Sequence, residues 1–76
     1  MLRLTAERER RGWSRARLAR MAEMSPAHVG QIELRRYPLV WPAWRQRLAQ
    51  ALGVDEAELF GPGGCPLEVE VADNAR

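Results

Sequence analysis

Seventy-six residues with 46% hydrophobic side chains suffice for one small domain around a single core, and not for two. No stretch reaches the run of about 18 apolar residues that a transmembrane helix needs, and the charged opening "MLRLTAERERR" has no apolar core of a signal peptide. The net charge of +2 conceals a gradient: all twelve basic residues are arginine, residues 1–47 hold eleven of them against four acids (+7), and residues 48–76 stand at −5.

In chain order, the Arg/Glu-dense segment that stops at Gly12 predicts a first helix over about residues 2–11. Ser14 is a good N-cap, and "RARLARMAE" behind it sets Leu18 and Met21 three apart beside Ala19 and Ala22, an amphipathic helix over about 15–22. Ser25 is a second N-cap. Pro26 falls at the first helical position, where its missing N–H costs nothing. The helix it opens, read over 25–35, places Val29 and Ile32 on one face, with Met24 before the cap to pack against them. "RYPLVWPAW" reads as a loop, with Tyr37 and Val40 biased towards extended backbone by the prolines that follow. Pro42 opens a fourth helix that aligns Trp44, Leu48, Ala51 and Leu52 and stops at Gly53. "VDEAELF" adds a short fifth helix, capped by Asp55 and closing the core with Leu59 and Phe60.

After Phe60 the composition changes. "GPGG" is a break, and Leu67, Val69 and Val71 then alternate with Glu68 and Glu70 at strand period. One isolated strand is not stable alone. Two readings are open: a frayed tail, or a strand that pairs with its copy in a second chain. The apolar loop leaves a second choice, with Trp44 assigned to the core and Trp41 either core or part of a protein-binding patch.

Two short helices joined by a turn of about three residues and flanked by other helices form the helix-turn-helix arrangement. A helix fits the DNA major groove, where residues near its N-terminus reach base edges while the preceding helix crosses the backbone. At this point the sequence resembles a known family. "GWSRARLARMAEMSPAHVGQIE" and "LAQALGVDEAELF" are similar to the pattern of the phage-repressor and Cro-like helix-turn-helix family, also called the XRE family. The resemblance covers residues 4–60. It implies an all-α fold: a compact, five-helix, lambda-repressor-like domain over 1–60, followed by a tail over 61–76 that is a candidate dimerisation strand.

The resemblance also implies roles. The family's base-reading positions match Pro26, Ala27, Gly30 and Gln31. A glutamine amide pairs with adenine N6 and N7, Ala27 can touch a thymine methyl, and Gly30 permits close approach to the groove. His28 is a further candidate for a base or phosphate. Phosphate contacts are expected from Arg15, where the family usually has glutamine, and from Arg35 and Arg36 at the exit of the helix; Arg17, Tyr37 and Ser25 complete that set. In this family an arginine of the first helix pairs with the glutamate ending the recognition helix, positions that match Arg8 and Glu33. The sequence departs from the pattern at Glu23, where the family often has glycine, and at Leu34-Arg35, which replaces "R-G" ahead of a longer, more apolar loop.

These features predict a transcriptional regulator, a repressor that binds double-stranded DNA as a homodimer. The other reading is a protein-interaction module or antitoxin-like protein on the same fold, with a protein partner. One cysteine and one histidine exclude an internal disulfide and a closed four-ligand zinc site, and no paired-carboxylate, Cys/His or Ser/His/Asp constellation is present. The expectation is therefore a cytoplasmic protein with no catalytic residue, metal, cofactor or membrane partner.

Overall fold

The computed structural model describes residues 1–69. Five helices follow one another: α1 (Arg3–Arg10), α2 (Arg15–Ala22), α3 (Pro26–Glu33), α4 (Pro42–Leu52) and α5 (Glu56–Leu59). Among the described residues there is no sheet, only two isolated bridges, Leu2 with Glu68 and Phe60 with Pro66. No helix there is long and apolar enough to cross a membrane.

The helix starts follow their capping chemistry. The Ser14 side chain accepts from the Arg17 amide at 3.0 Å, and Ser25 accepts from the Ala27 amide at 3.2 Å. Asp55 stands before α5 as expected, but its carboxylate makes no capping bond. The helix ends are set by left-handed residues. Gly53 closes α4 at φ 72° at no steric cost, whereas α2 is closed by Glu23 at φ 57°. The sequence pattern predicts α3 through residue 35. It stops at Glu33, because Arg35 itself turns left-handed (φ 61°) and its amide folds back onto the Ile32 carbonyl at 2.9 Å.

α2 packs against both α3 and α4. Leu4 of α1, Leu18 and Ala19 of α2, Val29 and Ile32 of α3, Leu48 of α4 and Leu59 of α5 meet in one core, joined by Leu2, Val40 and Phe60 from outside the helices. Burying one such large side chain contributes about 1.5–3 kcal/mol, so Val29 and Ile32 together hold α3 in place. Met21, read on the inner face of α2, lies half outside; the buried positions there are Leu18, Ala19 and Ala22. The apolar loop divides: Val40 is buried, Trp44 is half-buried against the core, and Trp41 is 65% exposed.

Of the 67–71 segment the structure describes residues 67–69. These run along the start of their own chain: the Arg3 amide donates to the Leu67 carbonyl at 2.8 Å, the Val69 amide to Met1 at 2.8 Å, and the Leu67 amide to Leu59 at 2.9 Å. Glu70 and Val71 lie outside the described residues. The GPGG stretch leads into this return. Gly64, at φ 96°, lies so close to Arg45 and to the Val40 carbonyl that no Cβ fits, and Arg45 donates to that carbonyl at 2.8 Å.

Candidate nucleic-acid interface

α2 and α3 are joined by Glu23, Met24 and Ser25. The left-handed backbone at Glu23 lets the Met24 amide return to the Ala19 carbonyl at 2.8 Å, which ends α2 and redirects the chain. Met24 then packs against the core, and α3 leaves with Val29 and Ile32 inward.

The remaining faces of α3 carry the candidate reading residues. Pro26 and Ala27 are exposed; Gly30 and Gln31 are half-buried. A methyl group built on Gly30 meets no atom within 4 Å, so the outer face of α3 is open there and the fold does not require glycine. His28 is half-buried, with its imidazole against the Trp44 indole at a centroid distance of 4.5 Å; Tyr37 meets the same indole edge-on at 5.6 Å. The order His28–Trp44–Tyr37 therefore ties α3 to α4 and to the loop between them. No spacing rule in the sequence pairs those three residues.

Beneath this surface lies an ion pair. Arg8 Nε donates to Glu33 Oε2 at 2.7 Å and Arg8 Nη2 to Oε1 at 3.0 Å, a two-bond fork between α1 and the end of α3. The Glu33 side chain is 1% exposed. Its hydrogen bonds raise the Arg8 guanidinium above its already high ordinary pKa, so Arg8 stays charged. Arg8 Nη1 also donates to the Trp13 carbonyl at 2.8 Å.

The candidate phosphate residues differ in what already engages them. Arg15 places its Nε 2.9 Å from Glu33 Oε1. Arg35 makes a two-bond ion pair with Glu68, both distances 2.9 Å, and Glu68 is also 3.2 Å from the amino group of Met1. No local pattern signals either engagement, since both join residues far apart in the chain. Arg17 and Arg36 are exposed and have no acidic partner among the described residues; the Arg17 guanidinium lies 5.6 Å from the Trp13 ring. Ser25 is exposed, with its hydroxyl committed to the cap, and Tyr37 is half-buried.

The model of the helix-turn-helix domain family matches residues 2–59 of the chain. The chain belongs to that family. No curated protein and no solved structure matches it. In helix-turn-helix domains that bind DNA the second motif helix enters the major groove while the first crosses the backbone; α2 and α3 are the two motif helices of this chain.

Proposed function

We propose that the protein is a sequence-specific DNA-binding transcriptional regulator, a repressor that binds a two-fold operator as a homodimer. One observation carries this reading: α3 buries Val29 and Ile32 completely and leaves Pro26, Ala27, Gly30 and Gln31 on its other faces, with an open surface at Gly30. Gln31 supplies the directional hydrogen bonds, a bidentate contact to adenine, and Ala27 an apolar contact to thymine. With so few polar groups on the helix, the sequence-independent share falls to arginines, with Arg15, Arg17 and Arg36 as phosphate contacts; Arg35 joins them when it exchanges Glu68 for phosphate. Ser25 and Tyr37 flank the same helix, and His28 is held at its edge by Trp44.

The test is selection of bound fragments from random double-stranded DNA at near-physiological salt. A motif with two-fold symmetry and half-sites about 10 base pairs apart, or a multiple, is expected. Affinity for every duplex no better than that of an equally basic control protein rejects the reading.

A second reading, a protein-interaction or antitoxin-like module, is favoured by a different observation. Leu34, Leu39 and Trp41 are all more than half exposed in and beside the α3–α4 loop. A stable protein partner recovered in the absence of DNA, together with no selected motif, would favour it.

A further inference from the structure

Three N–H donors from two arginines converge on one buried carboxylate. Arg8 supplies Nε and Nη2, and Arg15 supplies Nε at 2.9 Å to the same Oε1 that Arg8 Nη2 occupies at 3.0 Å. A single negative charge thus faces two guanidinium groups. Arg8 is used up in the fold: it is buried, and its Nη1 is committed to the Trp13 carbonyl. Arg15 is not. Its side chain is 47% exposed, and neither of its Nη groups has a partner among the described residues.

We infer that Glu33 is a positioning residue for Arg15: the carboxylate that locks α1 to α3 also fixes the Arg15 guanidinium by its Nε, presenting the Nη1/Nη2 edge to one backbone phosphate of the DNA. This rests on the DNA-binding reading above and adds to it how the contact is prepared. Arg15 is the first residue of α2, the helix that crosses the backbone in this fold, so the ligand within reach is a phosphate and not a base edge. The guanidinium plane suits the task. One nitrogen can be held by a carboxylate while the opposite edge forms two parallel bonds to phosphate oxygens. Tethering before DNA arrives removes side-chain freedom that binding would otherwise have to remove. Lysine has the charge but not the fork, and its ammonium cannot hold Glu33 and present a fixed two-donor edge at once.

The experiment compares the full chain with Arg15→Ala and Arg15→Lys on the selected duplex and on a shuffled one, by fluorescence anisotropy over a range of salt. Glu33→Gln is avoided because it would strip the buried Arg8 of its partner. Both Arg15 variants leave the two Arg8–Glu33 bonds intact, and circular dichroism melting is expected to show them folded like the parent. Positioning predicts that Arg15→Lys, although it keeps the charge, loses affinity roughly tenfold or more on both duplexes, and that Arg15→Ala loses at least as much at low salt. The salt slope should fall by about one for Arg15→Ala, while Arg15→Lys weakens binding and keeps the slope. Lysine binding within about twofold of the parent would mean that charge alone suffices and overturns the inference. A loss confined to the selected duplex overturns the phosphate assignment. Failure of the parent protein to bind any duplex better than a basic control is seen before either variant is made; it rejects the DNA-binding reading and the inference with it.

Discussion

Arg8 and Glu33 meet through two hydrogen bonds of 2.7 and 3.0 Å across 25 residues of sequence, with the carboxylate sealed from solvent. Removing one partner of a desolvated pair costs about 3–5 kcal/mol, because the other is left charged and uncompensated. The two single substitutions are not equivalent here. Arg8→Ala leaves Glu33 with the Arg15 Nε, whereas Glu33→Ala leaves two guanidinium groups facing each other. Glu33→Ala is therefore the more damaging, and the double variant should be less destabilised than the sum of the singles by about 1–3 kcal/mol in urea unfolding. Additive losses would show that the two residues act independently.

Glu23 carries the turn of the motif at φ 57°, ψ 46°, a conformation that costs a residue with a Cβ about 1–2 kcal/mol. Its role as a helix end is carried by the backbone, including its carbonyl, which accepts from Arg47 at 3.3 Å. Glu23→Gly keeps that backbone and relieves the strain, at the expense of a more flexible unfolded chain. The expected gain is about 0.5–1 kcal/mol, read as a rise in melting temperature of roughly 4 °C. A fall in melting temperature would mean that the Glu23 side chain contributes more than its conformation costs.

The helix frame is legible in the sequence because its signals are local. Ser14, Ser25 and Pro26 start helices by their own hydrogen bonding and fixed φ, and the spacing of Val29 and Ile32 turns α3 inward without reference to the rest of the chain. The contacts that prepare the candidate interface are different. Arg15 reaches Glu33 across 18 residues and Arg35 reaches Glu68 across 33, and in a chain with eleven arginines before residue 48 no local rule selects those partners. The Trp44 indole stacks on His28 only because α4 is packed beside α3's neighbour α2. Val40 goes in and Trp41 out within a proline-punctuated loop that has no period to read. The return of Pro66–Val69 to the first residues depends on where the fold brings the chain after Gly64, which a strand-period pattern does not contain.

Glu68 joins Arg35 and the amino group of Met1, and these hold its carboxyl at about 2, below the ordinary value of 4.5. The folded value is the lower one, so the pairing stabilises the fold fully above about 4.5, and that contribution is lost as pH falls from there through about 2. Both side chains are about half exposed, so added salt should weaken the effect. Glu68→Gln removes the titration. The melting temperatures of parent and variant should differ most near neutral pH and converge as the pH falls below 4.5. A constant difference across that range would assign the effect to packing instead of charge.

Gln31 carries the directional part of the proposed readout. Gln31→Ala should reduce discrimination at one A·T pair by about 1–3 kcal/mol and leave affinity for unrelated duplexes and the salt slope unchanged. Repeating the fragment selection with the variant checks this: one position of the motif should lose its preference. An unchanged motif would remove Gln31 from the reading surface.

Gly30 separates the demands of fold and function. It sits inside α3, where glycine is about 1 kcal/mol less favourable than alanine, and a methyl group there meets nothing within 4 Å. Nothing in the fold of the free protein explains the choice of glycine; under the proposed function, close approach of the helix backbone to the groove would. Gly30→Ala should accordingly stabilise the free protein by about 0.5–1 kcal/mol. If the bare backbone is needed at the groove, the same variant should bind the selected duplex more weakly, with little change on shuffled DNA. Stabilisation without loss of affinity would show that α3 stands off the bases at this position, and that its contacts lie nearer Pro26 and Ala27.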